Sequence, residues 1–392
     1  MRKPGRHFLQ IPGPSSVPDR ILNAISRQVI DHRGPDFAEL GTRVLEGLKT
    51  VFKTESNVFV FPASGTGAWE AALVNVLSPG DKVLMYETGH FATLWKSMAQ
   101  RLGLNAQFIH GNWRGGADPD KIEEALREDT RAEIKAVCVV HNETSTGSVS
   151  DILSVRKAID SAGHSALLMV DSISGLASID YQHDEWGVDV TVSGSQKGFM
   201  LPPGLSFNAV SKKSLMANKV AKLQRSYWDW GDMIGPNKSG YFPYTPATNL
   251  LYGLVESIDM LHEEGLENVF SRHARHGATT RQAVRAWGLE VLCSEQGAES
   301  GVLTAVMLPK GHSADAFREK ALTEFGISLG NGLSKVSDKV FRIGHLGDFN
   351  DLMLMATLSG VELGLESASV PYNRGGVQVA LEQLKTSETS ET

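Results

Sequence analysis

One lysine of the sequence stands among residues that suggest a catalytic role. Lys197 lies in the segment SGSQKG (193–198), just after a β-branched apolar run that is typical of a buried strand. Taken alone, a lysine is most often a solvated surface charge. Here its glycine and serine neighbours leave room for a bulky cofactor to approach the backbone. Lys197 is therefore a candidate active-site residue.

An acidic residue ends another apolar run upstream. Asp171 closes the segment ALLMVD (166–171), and a carboxylate in that position needs a partner, because burying it alone is costly. One interpretation is a helix N-cap, since Ser172 and Ser174 follow. The other is a bond to a pyridinium nitrogen, which a carboxylate keeps protonated so that the ring can accept electrons. Asp171 and Lys197, each at a strand end, form the pair that a pyridoxal cofactor requires.

The segment SGTG (64–67) supplies a third element. It lies between the apolar run FVF and the helix-like stretch AWEAALVNVL. Small residues at a helix N-terminus expose backbone N–H groups that bind phosphate. The spacing matches neither a P-loop nor the dinucleotide pattern G-x-G-x-x-G. A plain strand-to-helix turn is the alternative at this position.

Alternating strand-like and helix-like segments predict an α/β fold with a mainly parallel sheet. The predicted strands are 57–61, 82–86, 106–110, 135–141, 166–171 and 188–195, and the predicted helices between them are 66–77, 90–102, 119–129 and 151–163. Ligands of open α/β sheets lie beyond the carboxyl ends of the strands. We therefore expect the site near residues 64–67, 87–91, 141–147, 171–174 and 193–197.

The chain is long enough for one large and one smaller domain. Helix-like sequence over 247–288 is predicted to lead into a small mixed domain with strands at 302–309 and 339–346 and a helix at 313–325. The prolines at 12 and 14 exclude a helix there. We predict an extended segment over 1–20, a large domain over 21–265, a small domain over 266–375 and a flexible tail over 376–392.

Composition excludes several classes of function. The 392 residues carry a formal net charge of −7, without a long basic run, so nucleic acid is not an expected partner. Two cysteines form neither a disulfide framework nor a zinc site, and no metal is expected. Because the N-terminus lacks an apolar signal region and no stretch is long enough to span a membrane, we expect a cytoplasmic protein without membrane contact.

The motifs together resemble the class V aminotransferases of pyridoxal-phosphate (PLP) fold type I, and within them the serine-, alanine- and aspartate–glyoxylate aminotransferases. The resemblance covers nearly the whole chain: IPGPSSVP, DHRGPDF, FPASGTGAWE, HNETSTG, VDSISG, DEWGVDV, SGSQKGFMLPPG, YTP and FRIGHLG. SGSQKG with VDSISG upstream is its most specific part. It implies a large domain with a mainly parallel seven-stranded sheet, a smaller C-terminal α+β domain and a homodimer, or a higher oligomer, with shared active sites.

The resemblance also assigns residues to the cofactor. It implies PLP bound covalently to Lys197, with Asp171 at the ring nitrogen and Phe91 against the ring face, where relatives place a tryptophan. The other residues implied at the cofactor are Ser64, Gly65, Thr66 and Gln196 at the phosphate, Thr144 near the ring hydroxyl, and Tyr241 and Thr245 reaching the phosphate of the neighbouring subunit. His141 either touches the cofactor or is a structural histidine.

Substrate residues are expected from two segments. Arg342, in FRIGHLG, is the candidate for the α-carboxylate, because a guanidinium binds a carboxylate bidentately and stays charged. Pro12 and Gly13 are expected beside it. The implied reaction moves the amino group of a small L-amino acid to glyoxylate, giving glycine and a 2-oxo acid. Serine is the first expected donor, with aspartate or alanine next, and aspartate would need a second cation such as Arg33.

A PLP-dependent lyase or cysteine desulfurase of the same fold is the alternative. Such enzymes need a reactive cysteine in a mobile loop. Cys138 lies in an apolar strand, and Cys293 is not in a loop rich in glycine and serine. Transamination is therefore the favoured function.

Overall fold

Two large β-sheets and one two-stranded sheet organise the chain in the computed structural model, which describes residues 5–388. The first residues of the predicted extended segment (1–4) and the last of the predicted tail (389–392) lie outside the described residues. The strands in chain order are β1 (Phe8–Gln10), β2 (Asn57–Phe61), β3 (Lys82–Tyr86), β4 (Asn105–Ile109), β5 (Ile134–Val140), β6 (Asn142–Glu143), β7 (Ser148–Val149), β8 (Leu167–Asp171), β9 (Val190–Gly194), β10 (Ser206–Val210), β11 (Glu290–Val291), β12 (Leu303–Met307), β13 (Ile327–Asn331) and β14 (Val340–Gly344).

The large sheet has seven strands in the order β2-β10-β9-β8-β5-β3-β4. All neighbours are parallel except β10, which runs antiparallel to β2 and β9. The central strands are continuous apolar runs because helices cover both faces of the sheet. This confirms the predicted α/β class and the mainly parallel sheet. The carboxyl ends of β5, β8 and β9 therefore meet at one edge.

Thirteen helices surround the sheets within the described residues: α1 (Asp19–Ile25), α2 (Pro35–Phe52), α3 (Gly65–Val76), α4 (His90–Arg101), α5 (Pro119–Glu128), α6 (Ile152–Ser161), α7 (Lys212–Asn218), α8 (Trp230–Asn237), α9 (Thr248–Glu264), α10 (Leu266–Ala286), α11 (Ala314–Phe325), α12 (Asp351–Ser367) and α13 (Gly376–Glu388). Helices α3 and α4 begin at the edge of the sheet where the parallel strands end. Their first-turn N–H groups, which have no intrahelical partners, are thus available near that edge.

The small sheet joins both ends of the chain. Its order is β1-β13-β14-β12-β11, with β1 parallel to β13 and the other pairs antiparallel. From β1 the chain passes into the large unit, where the Ser15 N–H donates to the Gln196 carbonyl at 3.0 Å. The Ser15 hydroxyl also donates to the Lys197 carbonyl at 2.9 Å. The N-terminal segment thus ties the small sheet to the loop that carries Lys197.

The C-terminal segment differs from the flexible tail expected from residue 376. Residues 376–388 form helix α13, and Ala380 and Leu384 are buried in the C-terminal core beside Trp287. The segment VALEQL places apolar residues at helical spacing, which gives α13 one face to bury. The polar residues that follow concealed this pattern. No helix among residues 5–388 combines the length and the apolar character that crossing a membrane requires.

Candidate active site

A cavity opens at the edge of the large sheet where β5, β8 and β9 end. It contains about 510 Å³ of empty space. Its lining residues are Ser64, Gly65, Thr66, Trp69, Phe91, Val140, Asn142, Thr144, Asp171, Ile173, Ser174, Gln196 and Lys197. Eight of the residues predicted at the cofactor from the sequence are in this set. The structure therefore brings the lysine, the acid and the expected phosphate-binding turn into one enclosure.

Lys197 lies buried at the cavity wall, three residues after β9 ends. Its Nζ donates a hydrogen bond to the Pro12 carbonyl at 2.5 Å, and Gly13 lies directly against its side chain. Burial, together with the positive charge of Arg342, lowers the pKa of Lys197 to about 8, although Asp171 acts in the opposite direction. A substantial fraction of the amine is therefore neutral near neutral pH, as a nucleophile and base must be.

Asp171 is the last residue of β8 and is also buried. Its Oδ1 accepts the Ile173 N–H at 2.8 Å, and its Oδ2 accepts the Trp69 indole N–H at 2.9 Å. Burial raises the pKa of Asp171 to about 7, against the lowering effect of these two hydrogen bonds and of Lys197. A carboxylate that is costly to ionise in this way is stabilised when a cation lies against it.

The turn before α3 has the features of an anion site. Ser64 is the N-cap of α3, but its side chain makes no capping hydrogen bond. Gly65 allows close packing, because a Cβ there would collide with the Ile173 side chain. Thr66 follows in the first turn, where the helix dipole is positive. Gln196 lines the same part of the cavity, and its Oε1 is buried without a hydrogen-bond partner.

A second buried amide, that of Asn142, also lines the cavity. The Asn142 Oδ1 has no partner, while its Nδ2 donates to the Ser174 hydroxyl at 2.8 Å. Thr144 donates to the same hydroxyl at 2.9 Å. Unpaired buried amides are rare, and an amide can present either its oxygen or its NH₂ group to a ligand. The unpartnered oxygens of Asn142 and Gln196 thus fit a ligand with several polar groups, as PLP has.

Arg342 adjoins the cavity from the small sheet, in the middle of β14. The guanidinium is buried and donates to the carbonyls of Asn331 and Thr144, each at 2.8 Å. Burial lowers the pKa of Arg342 to about 10, with the negative charge of Glu143 acting in the opposite direction. It stays charged at neutral pH, and its unused N–H groups can bind a carboxylate.

Glu143 is a buried acid that the sequence interpretation does not single out. Its carboxylate accepts the N–H groups of Phe91 and Ala92 at 3.3 and 3.2 Å, in the first turn of α4. It also accepts the Ser145 hydroxyl at 2.6 Å. Glu143 therefore holds the start of α4, and with it the Phe91 ring, against the cavity. The residue lies three positions beyond the end of β5, within the segment 141–147 where the site is expected, which is the signal that could have found it.

Trp69 lines the cavity but was not predicted from the sequence, whereas Ile173 and Ser174 lie within the segment 171–174 where the site was expected without being assigned a role. Trp69 follows Gly65 by four residues, so both lie on one face of α3. Ile173 and Ser174 follow Asp171 in the turn after β8. Helical spacing from the glycine turn was available as a signal for Trp69. The other two required the register of neighbouring strands.

Tyr241, Thr245 and Arg33 are not among the residues that line this cavity within one chain. Tyr241 donates its hydroxyl to the Gly34 carbonyl at 3.3 Å, and Thr245 is exposed. Arg33 is exposed next to Gly34. His141, for which two roles were open, packs its ring against Tyr181, and burial lowers the pKa of the imidazole to about 4. His141 is thus packed among aromatic side chains and is not among the residues that line the cavity.

Comparison with known proteins agrees with the function that the geometry of the site suggests. The family model for aminotransferase class-V matches residues 7–344. The chain belongs to the class-V aminotransferase family. This confirms the resemblance found in the sequence motifs. Enzymes of this family are transaminases that act on small amino acids and 2-oxo acids, and the family implies PLP as the cofactor.

Relatives of this aminotransferase cover nearly its whole length. A serine–glyoxylate aminotransferase of Methylorubrum extorquens is 49% identical over 98% of this chain and 97% of its own. An L-aspartate–glyoxylate aminotransferase of Paracoccus denitrificans is 44% identical over 96% and 95%. The crystal structure of pyridoxamine–pyruvate aminotransferase from Mesorhizobium loti superposes with a TM-score of 0.92, at 25% identity, covering 99% of this chain and 100% of that one. The predicted fold type is thereby confirmed.

Proposed function

We propose that this aminotransferase moves the amino group of a small L-amino acid, with serine as the preferred donor, to glyoxylate, giving glycine and a 2-oxo acid. The observation that carries the proposal is the joint burial of Lys197 and Asp171 in one cavity whose other end is the uncapped N-terminus of α3. The full-length similarity to a serine–glyoxylate aminotransferase supports the donor and the acceptor.

The residues of the cavity divide between the two ends of the cofactor. Lys197 would bind its aldehyde carbon, and Asp171 would bind its ring nitrogen. The first turn of α3, with Ser64, Gly65, Thr66 and Gln196, would hold the phosphate; Thr144, beside Asn142, would lie near the ring hydroxyl. When bound, the cofactor withdraws electrons from the α-carbon of the amino acid, which makes its proton removable.

Lys197 then has a second task, because its amine is displaced when the amino acid binds. As a neutral amine, Lys197 would be able to accept and hold the α-proton of the amino acid at Nζ. The Pro12 carbonyl, 2.5 Å from Nζ, provides an acceptor that holds the amine near the reacting atoms. Arg342 would bind the α-carboxylate and so fix which bond at the α-carbon is broken.

The charges around the cavity favour serine over aspartate as the donor. Lys197 is the cationic residue among the cavity-lining side chains, and Arg342 adjoins them through the Thr144 carbonyl. Aspartate carries a second carboxylate, which calls for a further cation. The 44% identical L-aspartate–glyoxylate aminotransferase keeps aspartate as the second candidate. Arg33 of a neighbouring subunit is the residue proposed to serve it.

A dimer that shares its active sites is part of this proposal. Tyr241 contacts the Gly34 carbonyl, so the loop that carries Arg33 and the segment around Tyr241 and Thr245 form one surface. A partner subunit would receive these residues at its phosphate site. We also propose that the protein is located in the cytoplasm.

The desulfurase alternative finds little support in the cysteines. Both are buried, and burial raises the pKa of the Cys293 thiol to about 11 and that of Cys138 further. A thiol of this kind is a poor nucleophile near neutral pH. A mobile loop cysteine is required for that reaction, and neither residue meets the requirement.

Absorbance titration of the PLP-loaded protein tests the proposal. Serine, aspartate and alanine are added one at a time without an acceptor, and glyoxylate is added afterwards. Serine is expected to convert the band of the lysine-linked cofactor to that of pyridoxamine phosphate most efficiently, and glyoxylate to restore it. A protein without the lysine-linked band, or one that none of the donors changes, would refute the proposed function.

A further inference from the structure

Trp69 makes a hydrogen bond that the proposed function does not yet use. Its indole N–H donates to Asp171 Oδ2 at 2.9 Å, from the first turns of α3. The residue is 3% exposed, and its ring lines the cavity beside Phe91. Asp171 thus receives one donor on each oxygen, because the Ile173 N–H is bound to Oδ1.

These two donors determine how the carboxylate is oriented. The terminal torsion of an aspartate side chain is broad, so a single hydrogen bond leaves the second oxygen free to swing. Bonds to both oxygens fix the plane of the carboxylate. A carboxylate has about four lone-pair positions, so the two protein donors leave room for a third donor from the cavity.

The chemistry of indole suits this position. An arginine or a protonated histidine would also fix the carboxylate. Its positive charge, however, would neutralise the negative charge of Asp171, which a pyridinium needs. Indole is a donor only and carries no charge, so its support is the same at every working pH. Trp69 can therefore orient Asp171 without competing for its charge.

A neighbouring tryptophan provides an internal comparison. Trp95 of α4 stacks on Trp69 with ring centroids 6.0 Å apart and planes at 14°. It is fully buried, yet its indole N–H has no hydrogen-bond partner. The two rings share one apolar environment and differ in what the N–H group contacts. Packing alone therefore does not account for the bond from Trp69 to Asp171.

We propose that Trp69 is the positioning residue of Asp171, and that its indole N–H fixes the orientation in which the carboxylate meets the ring nitrogen of the cofactor. This inference rests on the proposed function, because it presupposes that PLP binds with its ring nitrogen at Asp171.

The test compares Trp69→Phe with Trp95→Phe. Each change replaces one of the two stacked indoles by a smaller ring, but W69F removes the donor to Asp171, whereas W95F removes an N–H without a partner. PLP affinity is measured as a function of pH, together with kcat and KM for the amino donor. Because the protonated carboxyl has no negative charge to balance a protonated ring nitrogen, affinity is expected to fall on acidification with a midpoint set by Asp171.

W69F is expected to bind PLP roughly tenfold more weakly and to move the acid midpoint up by about one pH unit. Its kcat should fall while KM for the donor stays, because Arg342 is untouched. W95F is expected to keep the wild-type affinity and midpoint. Equal behaviour of the two variants would overturn the inference. A wild-type protein without the lysine-linked band would instead refute the proposed function.

The wild-type protein gives a second test should W69F fail to fold. In cofactor-free protein with ¹⁵N-labelled tryptophan, one of the seven indole resonances is expected to follow the titration of Asp171. That pH dependence should vanish in Asp171→Asn. If every indole resonance is as insensitive to pH in the wild type as in D171N, the bond does not form in solution and the inference fails.

Discussion

Gly13→Ala is expected to impair the reaction of the lysine-linked cofactor, because a side chain at Gly13 would displace Lys197. An ideal Cβ at this residue would lie 2.6 Å from Lys197 Cε and closer still to Cδ and Nζ, whereas ordinary contacts begin at 3.4 Å. The backbone φ of +107° adds strain for any residue but glycine. Lys197 must therefore move by about 1 Å, which displaces its amine from its position at the Pro12 carbonyl.

A displacement of about 1 Å at a reacting group costs on the order of 100-fold in rate, which corresponds to about 2.7 kcal/mol of transition-state stabilisation. The matched control is Gly163→Ala, since Gly163 also has a positive φ, +62°, but no atom lies within 4 Å of its Cβ position. The assay is the amplitude of the lysine-linked band and the rate of its conversion by serine, with thermal unfolding alongside. Equal band and rate in the two variants would refute the reasoning.

Three further predictions concern charged residues of the site. Arg342→Lys should raise KM for the amino donor by at least tenfold and leave the lysine-linked band in place, because lysine cannot bind a carboxylate bidentately. Steady-state kinetics measure KM and an absorbance spectrum shows the band; an unchanged KM would exclude the assigned role. Asp171→Asn should slow conversion of the band by serine by about 10² to 10³, because the amide cannot balance a pyridinium charge; stopped-flow absorbance measures this, and a wild-type rate would contradict it. The pKa of Lys197 is about 8 in the folded protein and 10.5 ordinarily, so the unfolded chain binds the proton first as pH falls. The free energy of unfolding of the cofactor-free wild type should therefore fall by about 3 kcal/mol relative to that of Lys197→Met between pH 10.5 and 8. Denaturant unfolding of both proteins tests this, and parallel stability curves would show that the amine is not buried as described.

The large sheet was predictable because its central strands are short apolar runs with clear ends. Each predicted strand agrees with the structure to within two residues, from Asn57–Phe61 to Val190–Gly194. Strand β10 (Ser206–Val210) was missed, since no helix separates it from β9 and its sequence SFNAV alternates weakly. Helix α13 was missed because polar residues dominate the end of the chain.

The chemical pair Lys197 and Asp171 was predictable because Asp171 ends an apolar strand and Lys197 lies three residues beyond the end of another. Parallel strands place such ends at one edge, so local sequence was sufficient. Trp69 and Glu143 were not predicted, because their roles depend on contacts between elements distant in sequence. Trp69 reaches a residue 102 positions away, and Glu143 reaches α4 across 51 and 52 positions. Residue spacing places Trp69 on the face of α3 that carries Gly65, but it does not show which distant residue the indole contacts.

The positions of residues assigned to a neighbouring subunit also could not be predicted from the sequence. Tyr241 and Thr245 lie outside the cavity of their own chain, so their role depends on an interface between copies. Neither local pattern nor the fold of one chain positions them. Their assignment to the phosphate stays a prediction.

Transfer of a labelled amino group in a single turnover tests the central claim most directly. The PLP-loaded protein is mixed with [¹⁵N]serine, freed of excess amino acid, and then given glyoxylate, and the products are analysed by mass spectrometry. We predict about one equivalent of [¹⁵N]glycine per subunit for the wild type and none for Lys197→Ala. Absence of labelled glycine from the wild type, or an equal yield from K197A, would contradict the assignment of amino transfer to Lys197.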